Sequence, residues 1–186
     1  MAAMRHIASG RAPLVAGYVP PPRRGARLLD VGGAPGTYAT AFAAAGWEVT
    51  VFDLPATLEA VARDLEARGV DRVGGDMTVG LPDGPWDAVY LGNVLHLFDR
   101  ETARAIVARA AGVLGPGGRL AIQEMMLGRA PQAAAFAVMM LVSTAAGDTY
   151  AEEDYRRWMR EAGVAPQSIV DLDGREHQLL IGRRDG

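Results

Sequence analysis

The sequence predicts one three-layer α/β domain, with a mostly parallel seven-stranded sheet that ends in an antiparallel hairpin. Three observations predict it. An apolar run with one carboxylate, Arg27-Leu28-Leu29-Asp30-Val31, breaks into Gly32-Gly33-Ala34-Pro35-Gly36 and then into a helical segment from Thr37. Strand, glycine-rich turn and helix in that order form the ligand-site element of a doubly wound sheet. β-Branched runs then alternate with helical periodicity along the chain, and Asp173-Gly174 between the last two apolar runs signals a hairpin.

In chain order, residues 2–19 carry a weak helical pattern, broken at Gly10, Pro13 and Gly17, and Pro20-Pro21-Pro22-Arg23-Arg24-Gly25 forms a stiff connector. Residues 1–25 therefore read as a helical segment with its connector, and 26–186 as the domain proper. The first strand is too short for a helix, and the helix after the turn runs from Thr37 to Ala45. Glu48–Phe52 is the second strand. Pro55 and Thr57 open a helix to Arg68, with Leu58, Val61 and Leu65 at helical spacing. Val70–Val73 is the third strand and Trp86–Leu91 the fourth. An alanine-rich helix, Arg100–Leu114, is stopped by Gly115-Pro116-Gly117-Gly118 before a fifth strand, Arg119–Glu124. Helices over Ala133–Thr144 and Glu152–Ala162 lead to the last strands, Ile169–Asp171 and His177–Ile181. Five βα units capped by a hairpin describe the whole.

The 186 residues suit one domain with a substantial core. A net charge of −3 offers no attraction to nucleic acid or to an anionic membrane. With no cysteine, disulfides, thiolate metal sites and thiol nucleophiles are excluded, and three histidines argue against a histidine-rich metal centre. The N-terminus lacks a sustained apolar stretch of the signal-peptide kind, and the longest apolar run, Ala133–Val142, is too short for a membrane span. A cytoplasmic protein is expected.

Ligands of such sheets bind beyond the carboxyl ends of the strands, where strand order reverses. The residues just past each strand are Gly32–Gly36, Asp53, Asp76-Met77, Asn93 to His96, and Glu124. From Gly32 the chain reads G-G-A-P-G-T, which misses two glycines of the dinucleotide fingerprint, and without lysine there is no P-loop. Asp53, about 20 residues past the first strand, suits a ribose diol, although a helix-capping aspartate explains it as well. Asp76 suits an adenine amine with Met77 on the ring face; taken alone, G-G-D-M reads first as a plain loop. Together these residues favour an adenosine ligand. If strands four and five are neighbours, their tips lie about 5 Å apart. Glu124 can then hold His96 and prepare it as a general base.

Assembled, these stretches resemble the catalytic domain of class I S-adenosylmethionine-dependent methyltransferases, of the plant-type small-molecule O-methyltransferases and their bacterial polyketide-tailoring relatives. The resemblance runs from L-L-D-V-G-G-A-P-G through V-F-D-L-P, G-D-M and V-L-H-L-F to A-I-Q-E and R-R-W-M-R-E-A-G-V. It implies a Rossmann-like methyltransferase fold and S-adenosyl-L-methionine as cofactor, with S-adenosyl-L-homocysteine as product and no metal. Asp30, Gly32, Gly33 and Gly36 would hold the methionine part, Asp53 and Leu54 the ribose, and Asp76 and Met77 the adenine. Asn93 and Phe98 complete the cofactor set. His96 falls on the catalytic base and Glu124 on the acid that orients it. Met140 and Thr144 fall on the helix that lines the acceptor pocket in relatives. The implied acceptor is a small aromatic hydroxyl compound. Phe136, Met139 and Met140 suggest a flexible apolar lining, or plain core.

The chain also departs from that pattern. Ala34 replaces the third loop glycine, and H-D-W becomes His96-Leu97-Phe98. The second acid beside the histidine falls on Thr149, leaving Glu124 alone to activate the base. Relatives carry an N-terminal helical dimerisation domain that these residues do not contain, which leaves the oligomeric state open. A cofactor-binding pseudoenzyme or assembly partner is the alternative reading. Ribose methylation of RNA would need a K-D-K-E tetrad, which a chain without lysine cannot supply. The failed fingerprint disfavours an NAD oxidoreductase.

Overall fold

The structure, a computed structural model, describes the backbone of residues 2–186 and side chains from Gly10 onward. Its elements are α1 (Ala2–Tyr18), β1 (Arg27–Val31), α2 (Thr37–Ala44), β2 (Glu48–Asp53), α3 (Pro55–Glu66), β3 (Asp71–Gly74), β4 (Trp86–Gly92), α4 (Arg100–Gly112), β5 (Leu114–Glu124), α5 (Ala133–Ser143), α6 (Glu152–Glu161), β6 (Val164–Leu172) and β7 (His177–Arg184). The seven strands lie in the order β3-β2-β1-β4-β5-β7-β6. All neighbours pair in parallel except β7, which runs antiparallel to both β5 and β6. Strand order reverses between β1 and β4, so the glycine-rich turn after β1 stands at the switch point.

Alternation along the central strands makes the three layers. Leu29, Val31, Val89 and Leu91 face one way, onto α4 and α6 through Ile106, Val107, Tyr155 and Trp158. Leu28, Ala88 and Tyr90 face the other way, onto α1, α2 and α3 through Val15, Ala16, Phe42, Leu58 and Leu65. Asp30 alternates with Leu29 and Val31, which turns its carboxylate toward α2.

The structure differs from the sequence-based expectations in five places. Residues 2–18 form one continuous helix despite Gly10, Pro13 and Gly17. Ala12, Val15, Ala16 and Val19 make a buried stripe and Pro13 faces solvent, so tertiary packing outweighs weak local propensity. Trp47 Nε1 donates to the Val19 carbonyl at 2.8 Å and ties the helix end to the domain. Gly115-Pro116-Gly117-Gly118 does not precede β5 but lies within it. The register against β4 slips between Trp86 and Ala88, and the four residues form a bulge there. The third βα unit has no helix; residues 75–85 return to β4 as a loop. β6 and β7 are longer than the apolar runs at their centres, because an edge hairpin can carry polar residues and Pro166. Their connection takes in Asp173, Gly174 and Arg175, all with positive φ, rather than a two-residue turn.

Phe42 is buried between α1 and the sheet, its ring centroid 5.1 Å from that of Tyr90. Phe42→Ala should lower the unfolding free energy by about 3–5 kcal/mol, measured by urea denaturation. Val138→Ala, at a position 63% exposed on α5, should change it by under about 0.5 kcal/mol.

Candidate active site

The turn after β1 is pressed against its surroundings. Gly32 (φ 70°) and Gly36 (φ 85°) need the left-handed conformation. A Cβ on Gly32 would stand 2.4 Å from Val94 Cγ1 and 3.2 Å from Met77 Cε, and one on Gly36 2.3 Å from Leu65 Cδ2. A Cβ on Gly33 would meet the Asp30 carboxylate at 2.4–2.8 Å, so that carboxylate lies directly under the turn. Asp30 is 1% exposed and its Oδ2 has no hydrogen-bond partner. Burial, and then the charge of Asp53, push its pKa up to about 7, partly offset by the Ala39 N–H.

Asp53, at the tip of β2, reaches the same turn. Its Oδ2 accepts from the Ala34 N–H at 3.1 Å and its Oδ1 from the Leu54 N–H at 2.8 Å. Leu54 is 52% exposed beside it. Asp76, past β3, is exposed; its Oδ1 accepts from Thr78 N and Oγ1 at 2.8 and 2.7 Å, and these bonds hold its carboxyl below the usual range. Met77 packs against Gly32 from one side and the β4-side core from the other. Asn93 takes a positive φ of 57°, and its N–H donates to the Gln123 carbonyl at 2.9 Å, joining the tips of β4 and β5. Phe98 packs on the same core as Met77, and its carbonyl accepts from Tyr150. Buried, unpartnered carboxylate oxygen under a turn with no room for side chains, and a second acid beside it, fit a ligand with a cationic end and a diol.

A short 3-10 turn, Leu95–Leu97, follows β4 and carries His96. Its Nδ1 lies 2.7 Å from Glu124 Oε2, while Glu124 Oε1 accepts from the Leu95 N–H at 2.8 Å. Glu124 is 1% exposed. Burial lowers the His96 pKa, but the charge and hydrogen bond of Glu124 outweigh it, and the net shift is upward. Phe136 of α5 stands edge-on to the imidazole, with ring centroids 4.9 Å apart.

Met140 is buried on the inner side of α5. The Thr144 hydroxyl donates to the Met140 carbonyl at 2.8 Å and accepts from the Gly147 N–H at 2.6 Å, closing the helix end. Thr149 is 2% exposed with its hydroxyl unpartnered, and the neighbouring Asp148 N–H donates to the His96 carbonyl at 3.1 Å. The sequence reading did not single out Tyr38 and Gln123, which are hydrogen-bonded to each other at 2.9 Å beside the turn. A buried glutamine next to Glu124 was the available signal. Clefts of about 430 Å³ beside Glu66 and Arg72, and about 530 Å³ between α1, α2 and α3, are lined by none of these residues. Among the described residues no group of three or more His, Cys, Asp and Glu is placed to hold a metal ion, and no helix is long and apolar enough to cross a membrane.

The site joins a glycine-rich turn at the switch point of a doubly wound sheet to an acid-backed histidine past β4, the strand beside β1. The chain belongs to the O-methyltransferase domain family, which matches residues 23–165. Among solved structures, an O-methyltransferase family protein from Burkholderia thailandensis superposes with a TM-score of 0.83 at 26% identity, over 99% of this chain and 58% of that one. A structure of PigF with SAH superposes with a TM-score of 0.80 at 28% identity, over 96% and 56%. The 3-amino-4-hydroxybenzoate 4-O-methyltransferase of Streptomyces cremeus is 32% identical over 141 residues, which are 72% of this chain and 38% of the relative. The chain thus spans about 38–58% of the length of the curated relatives compared over most of it.

Asp30 provides a test of the turn without any ligand. Its carboxyl binds a proton more tightly folded than unfolded between pH 3.8 and about 7, so its contribution to stability falls as pH rises through that window. The unfolding free energy of Asp30→Asn minus that of the wild type should grow by about 3–4 kcal/mol from pH 4 to pH 7.5. A pH-independent difference would show that the carboxyl is not desolvated.

Proposed function

We propose that this chain binds S-adenosyl-L-methionine at the strand tips and methylates the hydroxyl of a small aromatic acceptor, with His96 as general base oriented by Glu124. The observation that carries the reading is the 2.7 Å contact between His96 Nδ1 and a buried Glu124. A carboxylate at Nδ1 keeps a proton there and leaves Nε2 as the basic nitrogen. Glu124 is itself aligned by the Leu95 N–H, one residue before the histidine, so ring and acid are held by the same turn.

Asp53 would accept the ribose hydroxyls, Leu54 and Met77 would cover the adenosine, and Asp76 would take the adenine amine. Asp30, under Gly32, Gly33 and Gly36, would face the cationic amino-acid end; Asn93 and Phe98 border the same space. Bound S-adenosylmethionine supplies a sulfonium methyl as electrophile. His96 Nε2 takes the acceptor's proton as the oxygen attacks. A free phenol has a pKa of about 10 and imidazole about 6.5; the upward push from Glu124 narrows that gap. Phe136 beside the imidazole suits an aromatic acceptor; Met140 lies on the same helix and Thr144 caps its end. The relative from Streptomyces cremeus is named for a hydroxybenzoate, which supports the acceptor class.

His96→Ala should lower the methylation rate toward a phenol panel by about 10²–10⁴-fold while S-adenosylhomocysteine still binds with unchanged affinity in calorimetry. A variant as fast as the wild type would remove His96 from the reaction, and cofactor binding by the wild type with no turnover would leave a binding protein.

Because His96 must be neutral to accept a proton, the rate should rise with pH through a midpoint above 6.5, its ordinary value. In Glu124→Gln the charge that raises the pKa is gone and burial remains, so the midpoint should move down and the plateau rate should fall. A pH–rate profile of both proteins reads this directly; coincident midpoints would contradict the assigned pairing.

A further inference from the structure

Formal charge is sorted along the strands of this domain. The chain has no lysine, and no arginine occurs between Arg27 and Arg63, between Arg72 and Arg100, or between Arg129 and Arg156. Those spans hold the residues past the tips of β1, β2, β3 and β4, and all of α5. Acids do occur there: Asp53, Asp76 and Asp99 follow strands, and Asp148 follows α5. The arginines that flank the histidine side are committed, Arg100 to Asp154 at 2.6 Å and Arg129 to Glu152 at 2.7 Å and Asp171 at 2.8 Å. Arg27, Arg119, Arg183 and Arg184 lie toward the opposite ends of β1, β5 and β7.

Asp148 carries this imbalance up to the base. Its N–H donates to the His96 carbonyl at 3.1 Å, and a Cβ on Gly147 would stand 2.4 Å from the same carbonyl oxygen, so the segment has no slack against the histidine turn. Asp148 is exposed, with Oδ1 accepting from the Thr149 N–H at 2.7 Å. The neighbouring Tyr150 hydroxyl registers the local sign. Burial first, and then the charge of Asp148, push it up to about 12, with Arg100 opposing and Asp99 adding. α5 supplies no counter-charge: Val138, Met139, Leu141 and Val142 are its exposed large side chains, and Phe136 stands edge-on to the imidazole.

We propose that the acceptor is an aromatic hydroxyl compound that carries no negative charge, and that Asp148 is the specificity-determining residue that turns carboxylated ones away. This rests on the methyl-transfer reading of the same site and narrows its acceptor class. A carboxylate on the ring would enter an apolar space flanked by acids. It would lose hydration there and, among the described residues, meet no uncommitted guanidinium beside His96. A neutral or ammonium-bearing ring meets no such cost.

Three phenols of one frame test it: meta-hydroxybenzoate, meta-hydroxybenzamide and meta-hydroxybenzylamine, compared by kcat/KM with S-adenosyl-L-methionine. The benzoate should be slower than the amide by about tenfold or more, and the benzylamine should at least match the amide. Raising the ionic strength from about 0.02 to 0.5 M should narrow the amide-to-benzoate ratio, because exposed charges are screened. Asp148→Asn keeps a side-chain oxygen that can accept from Thr149, and it should narrow the ratio by about threefold or more at low salt. A ratio cancels any loss of folded protein common to both acceptors. A benzoate as fast as the amide, a ratio indifferent to salt, or an unchanged ratio in Asp148→Asn would overturn the proposal. Turnover of none of the three phenols is a separate result, which removes the methyl-transfer reading and the proposal with it.

Discussion

A carboxylate withdrawn from water dictates the arrangement of the strand tips. Glu124 is almost fully buried, and a charge in that position is tolerated only when both oxygens are satisfied. Both partners come from one short turn: the Leu95 N–H on one oxygen and the His96 ring on the other. The turn can reach only because β4 and β5 are parallel neighbours in register from Ala88–Arg119 to Gly92–Gln123, and because the Asn93 N–H closes onto the Gln123 carbonyl. Displacing any of these links would leave a buried charge without compensation. The stability of the sheet end and the poise of the histidine therefore have the same origin.

The opposite side of the switch point works by leaving a group unsatisfied. Asp30 is buried with one oxygen unpartnered, and Asp53 adds like charge nearby. The three glycines leave no room for a side chain between the turn and what lies beneath it, so the backbone there is exposed to a ligand from above and to a carboxyl from below. A buried, unpartnered carboxyl oxygen persists where the rest of the fold holds the turn, here with the Leu65 and Val94 side chains packed against its glycines. The two sides together place a buried carboxyl and an acid-held imidazole along one row of strand ends.

Polar burial in this molecule is concentrated rather than scattered. Asp30, Gln123, Glu124 and Gln178 are all nearly inaccessible and all lie at the tips of β1, β5 and β7. Gln178 accepts from the Met126 N–H just past Glu124, and Arg129 then straps the following loop to Glu152 and Asp171. The segment that leads from the acid to α5, and so to Phe136 beside the imidazole, is held at both ends. Apolar residues fill the layers below, which leaves the tips as the place where hydrogen-bond geometry rather than packing determines position.

Much of this was legible in the chain itself. Period-two apolar runs, the break from Val31 into glycines, and acids or amides just past each strand come from residue chemistry and spacing, and they determine the layers, the strands and the row of tip residues. Element ends were less legible. Pro13 and the Gly115–Gly118 run carry strong local signals that packing on Val15 and Val19, or pairing with Trp86, overrides. Only the tertiary structure could decide that Glu124 meets His96 at hydrogen-bond distance, that Phe136 flanks the ring, or that Tyr38, Gln123 and Tyr90 line up. These contacts join residues 28 to 85 positions apart. Local sequence sets which face of a strand a side chain takes, but the partner across the sheet depends on strand order and register, which the whole core selects at once.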